Sequence, residues 1–327
     1  MKSVCKLEKE IKDKVRGAAH HMDFFTHLLI GLLAASWAGG FNPNLYLAAG
    51  AIMSQLPDFD FIMFPVCRRF PIACHHGITH TLVFMIAASA VLYSAFFALT
   101  GVSDTWLLLL MLIVGSLHIF GDFMGTGGVP LLYPLSSKYF KLNIDLGINP
   151  PLSFISLAGI VVLLASRLNR AYFLDAGEVT TVLSALYVLY YASKAAIKLH
   201  LQRLPENRGF AALPTARPDI WRFASRRETR DAIEVAVKAK EGVRTYRIPK
   251  GYLEIIERCE DLPYTYWHPQ VQAEMRFFEY PTYQTMCKDG RLEIIWNSAE
   301  MGKVMEVLVT CGRDGVCVRT QLRGKGS

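Results

Sequence analysis

Eight side chains of chemical interest stand in or beside long apolar stretches of this 327-residue chain. They are His27; Asp58 and Asp60 in Leu56-Pro57-Asp58-Phe59-Asp60; His75, His76 and His80; and His118 with Asp122. Imidazole and carboxylate together suit zinc, or a mixed zinc, manganese or iron site. His118 and Asp122 are four residues apart, so on a helix they share a face one turn apart. His76 and His80 have the same spacing. Pro57 is expected to end a helix and leave Asp58 and Asp60 on irregular backbone, where carboxylates can converge. The candidate ligands His27, Asp58, Asp60, His75, His80, His118 and Asp122 outnumber the four of a tetrahedral zinc. The surplus implies two ions, supporting partners, or a carboxylate left as general base, for which Asp58 and Asp60 are the candidates. Each residue also has a plainer reading when taken alone. His27 could be a packed polar anchor, Asp58 a turn cap, and His118 with Asp122 a hydrogen-bonded pair inside a bundle.

The elements that must carry these groups are apolar. The chain is 52% hydrophobic and 19% charged, below the roughly 25% charged residues of soluble domains. Leu82–Leu99, Pro150–Ser166 and Val179–Ser193 hold no charged residue, and Trp106–Phe120 holds one histidine. Such runs approach the roughly 20 residues that cross hydrocarbon. Phe24–Phe41 and Leu45–Leu56 are shorter and rich in Gly and Ala. The expectation is an all-α polytopic membrane helix bundle of about six spans, followed by a soluble α+β domain. Residues 1–22 read as an uncleaved cytoplasmic arm, 23–198 as the bundle, 199–220 as a Pro- and Arg-rich linker and 221–327 as the soluble domain. In that last region Ile233, Val235 and Val237 alternate with polar residues, as do Leu292, Ile294 and Trp296. Val304–Thr310 and Val316–Leu322 read as a hairpin, and Tyr252–Cys259 and Val271–Phe278 as short helices.

Orientation follows from Lys and Arg near the spans. The N-terminal arm carries Lys2, Lys6, Lys9, Lys12, Lys14 and Arg16, and loops on the same side add Arg68, Arg69, Lys138 and Lys141. The opposite side offers Arg167 and Arg170. With six spans both termini are cytoplasmic, and all the candidate ligands fall at that face. The net charge of +7 suits anionic lipid headgroups; no basic stripe interleaved with aromatics suggests nucleic acid. Seven irregularly spaced cysteines without a CxxC read as reduced thiols. His20 and His21 fall in the polar arm, and His200 and His268 have no evident partners.

Four motifs together resemble the family of predicted membrane-bound metal-dependent hydrolases, some members of which are described as LexA-regulated inner-membrane proteins. They are Thr26-His27 before Gly31; Leu56 to Asp60; His75-His76-Gly77-Ile78-Thr79-His80-Thr81; and His118 to Asp122 followed by Gly128 to Pro134. The resemblance is close over residues 22–140. His76 stands where the family has arginine, and Thr81 where it has serine. The family pattern makes His75 the ligand, whereas helical spacing alone favours His76, which then contacts an anionic substrate or substitutes as ligand. The resemblance implies hydrolysis by metal-activated water, with one or two divalent ions, zinc first among them, and an ester or phosphoester substrate that is a small molecule or a lipid. The alternative is a metal or proton transporter, or a membrane scaffold with a structural metal. Transport sites usually lie near the bilayer midplane, whereas these groups cluster at one end of the spans.

Overall fold

The computed structural model describes residues 24–39, 42–59, 77–146, 149–168, 175–215, 217, 220–239, 242–250, 259–267, 271–272, 275, 279–288, 291–299, 302–312 and 315–322. They fall into two compact units that meet in sequence at Ala196 and Ile197.

The first unit is helical: α1 Phe24–Ala38, α2 Pro43–Gln55, α3 Leu82–Thr100, α4 Thr105–Met124, α5 Pro150–Leu168 and α6 Ala176–Arg203. Short polar side chains start most of these helices. Asn42 accepts from Leu45 N, Thr81 from Phe84 N, Asp104 from Trp106 N and Asp175 from Gly177 N, each satisfying an amide that has no partner inside the helix. Gly101, at φ 68°, ends α3 in the left-handed region, where a side chain would be strained. Two buried clusters hold the helices together. Tyr46, Met53, Met85, Leu107 and Met111 centre one; Leu29, Leu33, Leu163 and Tyr187 centre the other.

Four of the six helices, α3 to α6, are long and apolar enough to cross a membrane. Their outward faces agree: Leu99 is 86% exposed, Phe154 74% and Val188 70%, so apolar surface must be covered by something other than this chain. Helices α1 and α2 have 15 and 13 residues. At about 1.5 Å per residue they reach roughly 22 and 20 Å, short of the hydrocarbon thickness of about 30 Å. They pack backbone to backbone. A Cβ on Gly31 would lie 2.5 Å from the Gly50 carbonyl oxygen, and one on Gly50 2.6 Å from that of Gly31.

The second unit holds two four-stranded antiparallel sheets, ordered β1-β2-β3-β4 and β5-β6-β7-β8. The strands are β1 Ala211–Pro214, β2 Trp221–Glu228, β3 Ala232–Ala239, β4 Gly242–Pro249, β5 Pro281–Lys288, β6 Arg291–Ser298, β7 Gly302–Gly312 and β8 Gly315–Leu322. Ile233, Val235, Ile248, Ile294 and Trp296, from both sheets, share one core. The alternating runs form β3 and β6, and the expected hairpin is β7–β8, closing at Gly312 opposite Gly315.

One expectation needs correction. Residues 199–220 are not a plain linker: 199–203 complete α6, and Ala211–Pro214 form an edge strand whose Ala212 and Leu213 are fully buried. Pro214 is tolerated because an edge strand leaves one side unpaired. The domain's expected helices fall largely outside the described residues. Among its described residues, helix beyond the end of α6 is limited to 3-10 segments at Pro205–Asn207 and Cys259–Trp267 and to helical positions at Val271, Gln272 and Met275. Residues 252–258 of the expected Tyr252–Cys259 helix lie outside the described residues.

Candidate metal centre

Four helices deliver side chains to one point. His27 sits in the first turn of α1. The last turn of α2 runs into a 3-10 turn at 57–59 that carries Asp58. His80 ends the 3-10 turn Ile78–His80 just before α3, and His118 and Asp122 occupy the last two turns of α4. Asp58 is 7% exposed and the other four residues 1% or less.

Backbone geometry brings these turns together. Gly115 lies one turn before His118; a Cβ there would come within 2.7 Å of both Met53 and Met85, so α4 presses against α2 and α3 at this level. Thr26 and Ser156 share a hydrogen bond of 3.1 Å that ties α1 to α5 beside His27. Ser54 lies in the last turn of α2, where carbonyls lose their helical partners. Its carbonyl oxygen is 2.7 Å from His118 Nδ1. A carbonyl only accepts, so Nδ1 carries the proton and Nε2 presents its lone pair to the cluster. Thr79 Oγ1 lies 3.0 Å from His80 Nδ1, a contact that orients the second ring in the same sense when the hydroxyl accepts.

The inward atoms stand apart by a narrow range of distances. His80 Nε2 and His118 Nε2 are 3.4 Å apart. Each is 3.2 Å from Asp122 Oδ2 and 3.6 Å from Asp58 Oδ1. His27 Nε2 is 3.4 Å from Asp122 Oδ1, and its ring stacks on that of His118 with centroids 3.8 Å apart. Charge-assisted N–H···O bonds close to about 2.7–2.9 Å; these separations are longer. They match the edge of a tetrahedron around an ion with bonds of about 2.1 Å, which is roughly 3.4 Å. Both ring nitrogens of His27 are buried without a hydrogen-bond partner among the described residues. Two overlapping triads, His27–His118–Asp122 and Asp58–His80–His118, each place their donor atoms within 4.8 Å of one another. The cluster could hold a metal ion.

Electrostatics favour charge separation within it. Burial would push the Asp58 carboxyl up, but His118, the hydrogen bond to His80 and His27 outweigh burial and hold it well below the usual range. Burial would lower His80, but its hydrogen bonds to Asp122 and Asp58 and the charges of both carboxylates raise it to about 10. In the ion-free protein His80 therefore holds a proton at neutral pH, and an ion must displace it.

Of the residues singled out from sequence, His27, Asp58, His80, His118 and Asp122 come together. Asp60, His75 and His76 lie outside the described residues. Sequence reasoning missed a second buried polar cluster. Asp145, in the loop after α4, accepts from Lys194 Nζ at 2.9 Å, Tyr190 OH at 2.8 Å, Asn149 Nδ2 at 3.0 and 3.1 Å and its neighbour Leu146 N at 2.9 Å. The Asp145 amide also bonds the Met124 carbonyl at the end of α4. The available signal was Lys194 one residue beyond the uncharged run Val179–Ser193, since a charge at the margin of a span calls for a partner.

Comparison with known proteins agrees with the membrane reading. Residues 22–200 match the model of the family described as YdjM inner membrane protein. The match spans more than half of the chain, which belongs to this family and is a membrane protein. The chain is also 29% identical over 120 residues to the uncharacterized protein YvsG of Bacillus subtilis (strain 168), covering 33% of this chain and 71% of that protein. No solved structure matches.

Proposed function

Starting from membership of an inner-membrane family, we propose that this protein is a membrane-bound metal-dependent hydrolase, with its site at the cytoplasmic membrane surface. The observation that carries the proposal is the spacing of the buried His and Asp donors at 3.2–3.6 Å: longer than close charge-assisted bonds, and suited to a shared divalent ion. Zinc is the ion best matched to three imidazoles and two carboxylates, with room in the donor set for one or two ions. When bound, such an ion supplies Lewis acidity and brings the ionisation of water toward neutral pH.

The chain's own residues then divide the work. His80, His118 and Asp122 would hold the ion, with His27 beside the other oxygen of Asp122. Asp58, the most exposed of the five, takes the proton from water, a role it shares as candidate with Asp60. The substrate is an ester or phosphoester, a lipid or another small amphiphile, consistent with a site near headgroup depth. Cytoplasmic termini accord with the Lys and Arg distribution and with an even number of crossings, four by the long helices alone or six if α1 and α2 form a tilted pair. The partners are the bilayer and the substrate, and nucleic acid is not among them.

One observation favours a second reading, a structural or transported metal: the described ligands are enclosed, as in closed structural sites. The same experiment separates the two. Protein purified in detergent is expected to carry zinc, to lose it in His118→Ala and Asp122→Ala, and to keep it in the exposed His200→Ala. Asp58→Asn should keep the metal and lose about a hundredfold to ten-thousandfold in rate if Asp58 is the general base. Full metal occupancy in all variants would overturn the ligand set. A metal without metal-dependent turnover of phospholipids or soluble phosphoesters, and with every coordination position filled by protein, would favour the structural reading.

A further inference from the structure

The rings of His27 and His118 are stacked, with centroids 3.8 Å apart and planes inclined by 21°. Stacking limits what the two rings can share. An imidazole nitrogen binds an ion along its lone pair, in the plane of the ring and at about 2.0–2.1 Å. One ion suits two rings where their planes cross at that reach. Planes inclined by 21° converge by only about 1 Å over the roughly 3 Å from a ring centre to such an ion. An ion in the plane of His118 therefore lies well out of the plane of His27. His80 is placed differently. Its ring is tilted by 52° to that of His118, with centroids 5.3 Å apart, yet the two Nε2 atoms are only 3.4 Å apart. That pair converges, whereas the stacked pair runs side by side.

The oxygens of Asp122 divide along the same line. Oδ2 lies 3.2 Å from both His80 Nε2 and His118 Nε2, so these three donors stand at the corners of a nearly equilateral triangle. Oδ1 lies 3.4 Å from His27 Nε2, which is the edge of a separate site with bonds of about 2.1 Å. His118 cannot serve both places. Its Nδ1 is engaged with the Ser54 carbonyl at 2.7 Å, which leaves Nε2, with one lone pair, as its single donor. His27 is 1% exposed, and neither of its ring nitrogens has a hydrogen-bond partner among the described residues. The triad His27–His118–Asp122 is thus a set of near neighbours rather than the ligands of one ion.

We infer that the cluster holds two ions bridged by Asp122, one between His80, His118 and Asp122 Oδ2 and a second between His27 and Asp122 Oδ1. This rests on the metal reading of the His/Asp cluster and goes further by assigning His27 to an ion of its own. The two ions stand about 3.5–4 Å apart, the usual spacing of paired sites.

The test uses the full chain in detergent, stripped of metal and reloaded with zinc alone. Elemental analysis of wild type is expected to give two zinc ions per chain, and X-ray absorption at the zinc edge a zinc–zinc vector of about 3.5–4 Å. His27→Leu should keep one zinc and lose the vector, while Asp122→Ala should lose both ions. The wild-type stoichiometry and vector need no substitution, so they decide the matter even where a variant fails to fold. One zinc in wild type would overturn the inference: its loss in His27→Leu would place His27 on a shared ion, and its retention would make His27 no ligand at all. Two zinc ions without the vector, or two still present in His27→Leu, would also overturn it by placing the second ion elsewhere. Absence of zinc from wild type would sink the metal reading beneath it, whereas a single zinc sinks this inference alone.

Discussion

Around Asp145, the four groups that bond it stand at 2.8–3.1 Å; around Asp122, the three imidazole nitrogens stand at 3.2–3.4 Å. Both carboxylates are 1% exposed, and the two are joined through the end of α4, where the Asp145 amide bonds the Met124 carbonyl. The first cluster is complete in itself: a buried cation, a phenol, an amide and a backbone N–H satisfy one carboxylate. The second is held at arm's length by contacts behind it, His118 to the Ser54 carbonyl and His80 to Thr79. A self-satisfied cluster fixes structure; a cluster whose members are kept apart is prepared for something else.

The largest expected effect breaks the first cluster. Lys194→Met leaves the Asp145 charge buried without its cation and should lower unfolding free energy by about 3–5 kcal/mol, read by denaturant unfolding in detergent. Adding Asp145→Asn should recover part of the loss. A cost within 1 kcal/mol would show that the cluster is not a clamp. Next, Thr79→Val removes the group behind His80. Metal affinity should fall about tenfold to a hundredfold, as for other supporting partners of metal ligands, with the melting temperature of the ion-free protein little changed. The opposite pattern would make Thr79 part of the fold rather than of the site.

A pH series sharpens the contrast further. His80 is raised to about 10, so an ion competes with its proton throughout the neutral range. Apparent metal affinity should rise by up to about tenfold per pH unit between pH 6 and 9 on account of this group, measured by chelator competition. A flat profile would mean that His80 is not displaced and is not a ligand. The smallest effect belongs to a site outside both clusters. Asp175→Ala removes the cap of α6, whose Oδ1 accepts from Gly177 N and Glu178 N, and should cost about 1 kcal/mol with metal content unchanged.

Much of the donor cluster was legible because its signals are local. His118 and Asp122 share a helical face, and Pro57 ends a helix before Asp58. The Asp145 cluster was not legible for the opposite reason. Asp145 and Lys194 are 49 residues apart and belong to no common motif, so only the fold pairs them. Strand β1 was hidden by its setting: four residues between Arg208 and Arg217, ended by Pro214, show too short an alternation to stand out, and their burial comes from pairing with β2. The two short helices looked ambiguous because Gly31 and Gly50 weaken the apolar signal of α1 and α2, although those glycines are what lets the helices touch.

That contact has a consequence for ion choice. Where two backbones meet with no side chain between them, the spacing cannot be tuned by a rotamer change. His27 stands one turn before Gly31 and Asp58 two turns beyond Gly50, so both are mounted on posts of fixed separation. If an ion is bound between such posts, it would be selected by radius. Bonds of about 2.0–2.2 Å, as zinc makes, would suit edges of 3.2–3.6 Å. Calcium, bound at about 2.3–2.6 Å by more oxygens, would have to push the helices apart at the place where they are least able to yield.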